Sequence, residues 1–155
     1  MERCDNRSVG VIIANANDEI LLLSRARYPY GLAAPAGHID DHGSSEQAAI
    51  DEVREETGLI VPPNSLVKII GQRLVSNTCR RPGGDHHVWD VYQTPTFEGD
   101  MTASQSETLG ANWYSPDALQ LLADATRKLD REAQRGEQVL EPIWLDFFTE
   151  LGIVK

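Results

Sequence analysis

The stretch that decides the fold is residues 37–59, which read GHIDDHGSSEQAAIDEVREETGL. Ser44 precedes Gln47 by three residues, the spacing of a capping box, in which the serine hydroxyl accepts from the Gln47 amide and the Gln47 side chain reaches back. Gly58 is the kind of residue that commonly ends a helix. The pattern therefore predicts a helix over residues 45–57.

Three glutamates share one face of this helix. Glu52, Glu55 and Glu56 are spaced i, i+3 and i+4, so they project together beside the apolar stripe. Like charges at this spacing, and acids in the last turn, each cost an isolated helix roughly 0.2–1 kcal/mol. A divalent cation would relieve these penalties together, and carboxylates suit Mg²⁺ or Mn²⁺ better than Zn²⁺. The alternative interpretation is a solvated acidic face.

Length and charge limit the classes of function that the chain can serve. A chain of 155 residues is typical of a single domain, here expected to span residues 1–155. The net charge of −10 makes the protein a poor counterion for nucleic acid, so no stable nucleic-acid partner is expected. Residues 40–56 hold seven acids and one base, whereas residues 68–89 hold four bases and one acid. An acidic region that binds a cation, next to a basic region, would suit a cation that bridges to an anionic substrate.

The location of the protein is also predicted from its sequence. No apolar run approaches the roughly 18 residues that a membrane helix needs, and the first residues lack the apolar core of a signal peptide. Two cysteines, Cys4 and Cys79, do not make a disulfide framework. We therefore expect two reduced thiols in a cytoplasmic protein without a membrane partner.

Hydrophobic patterning predicts the remaining elements. Two apolar runs, residues 8–14 and 20–24, flank a turn-forming spacer and are interpreted as a hairpin. Further extended segments are predicted at residues 33–39, 66–76, 87–94 and 111–114. Ser115 and Pro116 open a second helix, and residues 141–151 form a last amphipathic segment. Within that segment, Trp144 and Phe148 are predicted to be core anchors.

Residues 37–59 resemble the signature of the Nudix hydrolases. That signature is Gly, five residues, Glu, seven residues, then Arg-Glu-apolar-any-Glu-Glu-any-Gly-apolar. The matching positions are Gly37, Glu52, Val53, Glu55, Glu56, Gly58 and Leu59. The resemblance extends outward to residues 32–37 and 113–117, similar to the family's entry strand and to its late strand followed by Ser-Pro.

Two positions depart from the signature. Gly43 stands where the family has Glu, and Asp51 where it has Arg. In the family, that Arg is thought to orient the neighbouring catalytic Glu. Losing an anion and a cation together leaves neither charge unpaired. We hypothesise that Asp51 strengthens the cation site while Glu52 is positioned less firmly.

The resemblance implies a fold, a cofactor and a reaction. The fold is α/β (α+β), with a mixed β-sheet sandwiched between helices. The reaction is hydrolysis of a nucleoside diphosphate linked to another moiety by water attack on phosphorus, with Mg²⁺ or Mn²⁺ as cofactor. The implied metal ligands are Gly37, through its carbonyl, Glu52, Glu55 and Glu56. Glu52 or Glu56 is also a candidate general base, and so is Glu107 on a later loop.

Several cationic and aromatic residues are candidates for binding the substrate. Phosphate contacts are predicted for Arg25, Arg27, Arg73 and Arg80, with Arg81 nearby. His86, His87 and Trp89 could line a base or sugar pocket. The spacing of His38 and His42 matches no standard zinc site, so both are interpreted as loop residues near the substrate.

Two function classes stay open at this point. The first is a metal-dependent pyrophosphohydrolase acting on a nucleotide-type small molecule such as a nucleoside triphosphate or nucleotide sugar. The second is a regulatory domain of the same fold that holds a nucleotide with weak or no turnover, an interpretation favoured by Gly43 and Asp51. The resemblance also makes a homodimer possible.

Overall fold

The computed structural model describes residues 1–27, 30–104, 108–129 and 139–155. Within these ranges the chain forms seven strands and three α-helices. The strands are β1 (Arg7–Ile13), β2 (Ile20–Arg25), β3 (Leu32–Ala33), β4 (Ala36–His38), β5 (Val67–Val75), β6 (His87–Thr94) and β7 (Thr108–Tyr114). The helices are α1 (Ser45–Thr57), α2 (Pro116–Lys128) and α3 (Pro142–Glu150).

The described strands form a mixed sheet and an antiparallel sheet. The mixed sheet has the order β4-β1-β6-β5, and the antiparallel sheet has the order β3-β2-β7. Strand β1 pairs in parallel with β6 and antiparallel with β4. Because β4 and β6 flank β1, His38 and the start of β6 lie at the same end of the sheet, opposite Ser8 and Arg7 respectively.

The predicted hairpin of β1 and β2 is wrong. The chain turns after Ala14, and the bridge from Ala14 to Ile20 is the point at which the two segments pair. Beyond it, β1 and β2 diverge into different sheets. The physical reason is that both edges of β1 are already taken by β4 and β6, while β2 pairs with β3 and β7.

Helices cover both faces of the sheets, as predicted. Alternate residues of β1 face opposite layers: Val9 and Val11 pack in a cluster with Val53 of α1. Ile12 packs instead with Trp144 of α3, in the cluster that also contains residues of α2. The continuously apolar strands follow from this arrangement, because neither face of β1 meets water.

The second and third helices lie as the sequence predicts. Ser115 caps α2 by accepting from the Ala118 amide, and Pro116 occupies its first turn. Trp144 and Phe148 are fully buried in α3. No helix in the described part of the chain is long and apolar enough to cross a membrane.

Candidate functional site

Helix α1 begins and ends where the sequence predicts. The Ser44 hydroxyl accepts from the Gln47 amide, and Gly58 ends the helix with a φ of 75°. The Gln47 side chain departs from the predicted capping box, because its amide nitrogen donates to Asp51 Oδ1 at 2.9 Å. The first turn of α1 is therefore tied to the residue that precedes Glu52.

Helix α1 and strand β4 meet at a cavity of about 320 Å³. Glu52 and Glu56 line it from the helix, and Gly37 lines it from the strand. A Cβ atom on Gly37 would lie 2.2 Å from the Glu52 carboxyl carbon, so only glycine lets the strand approach this closely. The cavity therefore has two carboxylates and a strand backbone along one wall.

The three glutamates of the acidic face are not equivalent. Glu56 is 7% exposed, and its Oε1 accepts from the Ala36 amide at 2.9 Å. Glu52 is half-buried, whereas Glu55 is exposed and is not among the residues that line the cavity. The cavity thus receives Glu52 and Glu56, with Glu55 on the flank of the helix.

The predicted phosphate contacts divide into two groups. Arg25, Arg27 and Arg80 line the cavity, as does Arg81, whose guanidinium pairs with Asp40 at 2.9 Å. The Asp40 carboxyl in turn accepts from Arg81, and this hydrogen bond lowers its pKa. Arg73 lies outside the cavity and forms an ion pair with Glu150 of α3. Strand β5 directs the Arg73 side chain to Glu150 of α3, away from the place predicted for the substrate.

Two of the predicted histidines, His38 and His87, lie next to each other. His87 lines the cavity, but it is 1% exposed and its ring contacts Asn77 and Cys4. His38 is on strand β4 rather than in a loop, with its ring centroid 5.4 Å from that of His87. Burial lowers the pKa of both imidazoles, which keeps them neutral at pH 7.

Glu107 lies outside the described residues, so its role stays a prediction.

A buried carboxyl that sequence reasoning missed also borders the cavity. Glu141, immediately before α3, is 5% exposed, and burial raises its pKa to about 7. Its Oε2 makes no hydrogen bond and lies 3.8 Å from Arg25 Nε. Trp144, another residue of the cavity wall, also has its ring N–H buried without a hydrogen-bond partner. The sequence signal was an acid directly before the helix-opening Pro142.

The sequence model of the NUDIX domain matches residues 5–134. The chain belongs to the NUDIX family. This result confirms the resemblance, and the predicted class of enzyme with it: a hydrolase that acts on phosphoanhydride bonds.

Three known proteins illustrate the likeness of this Nudix chain. The putative 8-oxo-dGTP diphosphatase of Bacillus subtilis (strain 168) is 32% identical over 130 residues, which cover 76% of this chain and 72% of that protein. The MutT protein of Methanosarcina mazei Go1 aligns with a TM-score of 0.66 at 20% identity, over 98% of this chain and 96% of that one. The MutT NUDIX hydrolase of Burkholderia pseudomallei aligns with a TM-score of 0.61 at 22% identity, over 91% and 95%.

The two departures from the Nudix signature have local structural accounts. Gly43 follows a short 3₁₀ turn with a φ of 94° and open space around it, a backbone conformation that disfavours Glu. Asp51 is engaged by His42 Nδ1 at 2.8 Å, Gln47 at 2.9 Å and Arg54 at 3.3 Å. Burial favours a higher pKa for the Asp51 carboxyl, but these hydrogen bonds and the Arg54 charge outweigh it and lower the pKa.

The Nudix acidic face has the chemistry of a site for a hard divalent cation. The donors are carboxylates, and the Ala36 amide holds the Glu56 carboxyl in place by donating to its Oε1. The glycine at position 37 keeps space at the Glu52 carboxylate. Glu52, Glu56 and the Gly37 carbonyl are therefore the groups that fit such an ion best, with Glu55 beside them.

Proposed function

We propose that this Nudix hydrolase is a divalent-metal-dependent pyrophosphohydrolase whose substrates are nucleoside triphosphates with a purine base. One observation carries the proposal. A single cavity joins the carboxylates of Glu52 and Glu56 to the guanidinium groups of Arg25, Arg27 and Arg80. Its volume of about 320 Å³ is at the lower end of the range for small-molecule sites.

The acidic and the basic residues of the cavity both suit the polyphosphate of the substrate. Arginines favour phosphate oxygens through charge-assisted hydrogen bonds. A divalent cation, when bound, supplies charge neutralisation of the phosphate oxygens and activation of the attacking water. Glu52 and Glu56 with the Gly37 carbonyl would hold that cation. The polyphosphate would thus lie between the acidic wall and the arginines.

The part of the cavity where Glu141 lies beside Arg25 suits a base. Glu141 with a pKa of about 7 is partly protonated near neutrality, and a protonated carboxyl both donates and accepts a hydrogen bond. That pairing matches the amide edge of a guanine-type base. The relative from Bacillus subtilis, named as a putative 8-oxo-dGTP diphosphatase, supports a triphosphate of this kind.

The chain's own residues would carry the proton transfer. Glu52 or Glu56 would accept a proton from the attacking water, whose oxygen bonds to phosphorus. The bridging P–O bond then breaks, giving a nucleoside monophosphate and pyrophosphate. Arg25, Arg27 and Arg80 would balance the charge on the departing phosphates. Glu107 stays a further candidate for the base.

A substrate panel tests the proposal. Formation of the nucleoside monophosphate would be measured with Mg²⁺ and with Mn²⁺ for dGTP, 8-oxo-dGTP, dCTP, ADP-ribose and a nucleotide sugar, together with pyrophosphate from the triphosphates, with Glu56→Gln beside the wild type. We expect pyrophosphate from the purine triphosphates and loss of turnover in Glu56→Gln. Tight nucleotide binding without turnover of any substrate would favour the regulatory class and overturn the proposal. Preferred cleavage of ADP-ribose would retain the reaction and refute the substrate.

A further inference from the structure

Four metal-ligating side chains from distant parts of the sequence converge at the wall of the cavity, and His38, Cys79 and His87 line it. They are Cys4, before β1; His38, on β4; Cys79, in the loop between β5 and β6; and His87, at the start of β6. One ligand atom from each lies within 4.8 Å of every other. The sheet order explains why these side chains lie together, because β1, which follows Cys4, lies between β4 and β6, which carry the two histidines.

The three distances from Cys4 Sγ to the other ligand atoms match those of a tetrahedral zinc site. Cys4 Sγ lies 3.7 Å from Cys79 Sγ, 3.4 Å from His38 Nε2 and 3.3 Å from His87 Nε2. With Zn–S near 2.3 Å and Zn–N near 2.0–2.1 Å, a regular tetrahedron has edges of about 3.8 Å between sulfurs and about 3.6 Å from sulfur to nitrogen. The observed edges agree with these values to within about 0.3 Å.

The tautomer of His87 is fixed in the form that binds metal. Its Nδ1 lies 3.0 Å from the Asn77 backbone carbonyl and 3.2 Å from Asn77 Oδ1. The same Oδ1 accepts from the Trp89 ring N–H at 3.1 Å, which identifies it as oxygen. Since both neighbours of Nδ1 are acceptors, Nδ1 carries the proton, and the lone pair of Nε2 points at Cys4. This carbonyl–histidine arrangement is typical of metal ligands.

The backbone around the two sulfurs is arranged to hold them. The Asn6 amide donates to Cys4 Sγ at 3.3 Å, a contact that stabilises a thiolate. The Cys79 amide donates to the Gly84 carbonyl at 2.8 Å. A Cβ on Gly84 would lie 2.2 Å from Cys79 Sγ, so the loop closes over the sulfur in a way that only glycine permits. The Cys4 amide in turn donates to the Pro82 carbonyl at 2.9 Å and ties the chain start to this loop.

We propose that Cys4, His38, Cys79 and His87 bind one zinc ion in a closed, four-ligand structural site, separate from the Nudix acidic face. Two thiolates and two neutral imidazoles balance the zinc charge and match its preference for sulfur and nitrogen ligands. Four protein ligands leave no open position, so the ion would hold structure rather than activate water. It would fix the loop that presents Arg80 and Arg81 to the cavity.

Metal analysis of the full chain tests this site without any assay of turnover. The protein would be purified without chelators, and its zinc content measured by plasma mass spectrometry. Its zinc would then be replaced by Co²⁺ and the absorption spectrum recorded. We expect one zinc ion per chain, intense visible bands of tetrahedral cobalt, and a near-ultraviolet band from thiolate-to-cobalt charge transfer.

Matched variants assign the ion to these ligands. Cys79→Ser should lower zinc affinity more than about 100-fold, because even a residue that only orients a ligand is worth about 10–100-fold. His86→Asn is the control, since His86 is the exposed neighbour of His87 and contacts Asp85. His86→Asn should keep its zinc, and so should Glu52→Gln, which alters the acidic face alone.

Three results would overturn the site. One is wild-type protein with substoichiometric zinc, and another is a cobalt spectrum without the charge-transfer band. The third is an intact mass two hydrogens short, which would reveal a disulfide between Cys4 and Cys79. The wild-type cobalt spectrum decides the question even where a variant fails to fold.

Discussion

His42 Nε2 lies 3.8 Å from Glu52 Oε1, while its Nδ1 lies 2.8 Å from Asp51 Oδ2. One imidazole thus spans the two acids that occupy the Arg-Glu positions of the Nudix signature. In its protonated form the ring donates through both nitrogens, one toward each carboxylate. Reinforcement of the cation site by Asp51 stays a prediction. The contacts add a second one, a positioning role in which Asp51 holds His42 next to Glu52.

Replacing His42 should therefore impair turnover more than substrate binding. We expect His42→Asn to lower kcat by about 10–100-fold, the range for residues that orient a ligand, with KM changed far less. It should also raise the Mg²⁺ concentration needed for half-maximal rate, a readout that a purely structural role would not move. Steady-state kinetics across Mg²⁺ concentrations measures both. Equal effects from the His86→Asn control would contradict the positioning role.

Removing the charge of Glu56 should lower kcat more than removing the charge of Glu55. Gln at position 56 can still accept from the Ala36 amide, so the fold is retained while the ligand and base are lost. We expect Glu56→Gln to lower kcat by about 10²–10⁴-fold. Glu55→Gln, on the exposed flank, should have a smaller effect. The two variants would be compared by kcat and by melting temperature, and a larger loss in Glu55→Gln would mean that the cavity wall has been misassigned.

The arginines offer a charge-matched test of the cavity. Arg80 lines it, whereas Arg73 pairs with Glu150 elsewhere. Arg80→Gln should raise KM roughly 2–5-fold, the scale of an exposed ionic contact, without a change in melting temperature. Arg73→Gln should leave KM as in the wild type. Similar KM values for both variants would remove Arg80 from the substrate contacts.

Glu141 should make the protein less stable as pH rises. Its folded-state pKa of about 7 is above the ordinary value of 4.5, so the folded chain holds this proton more tightly than the unfolded chain does. The free energy of unfolding should therefore fall between pH 4.5 and 7, by roughly 3 kcal/mol from this group. Glu141→Gln removes the titration and should flatten that part of the profile.

Chemical denaturation of the two proteins from pH 4.5 to 8 measures the effect of Glu141. The other groups titrate in both proteins, so the difference between the profiles isolates this carboxyl. Glu98→Gln, at an exposed position, is the control and should follow the wild type. Parallel profiles for wild type and Glu141→Gln would show that Glu141 is ionised in the fold.

Local patterns allowed much of the fold to be predicted. The α1 boundaries depend on Ser44 and Gly58, whose effects act within one helical turn, and both were confirmed. The burial of Trp144 and Phe148 follows from helical periodicity and was confirmed too. The predicted β1–β2 hairpin was wrong because β1 and β2 each pair with strands from more distant parts of the sequence.

The sequence predicts only those parts of the site whose residues lie close together in the chain. Glu52 and Glu56 share a helix face, so one turn of sequence indicates that they act together. The cluster of Cys4, His38, Cys79 and His87 depends on contacts across 34 to 83 residues, and Glu141 contacts Arg25 near the other end of the chain. No short spacing encodes such contacts, and the order of strands in the sheet creates them.

The proposed function depends on a divalent cation bound between Glu52 and Glu56 in the cavity. Its most direct test is a Mn²⁺ titration followed by electron paramagnetic resonance, with free Mn²⁺ as the signal, on the wild type, Glu52→Gln and Glu56→Gln. We expect one Mn²⁺ site per chain in the wild type and at least a tenfold loss of Mn²⁺ affinity in each variant. Equal Mn²⁺ affinity in all three proteins would contradict it.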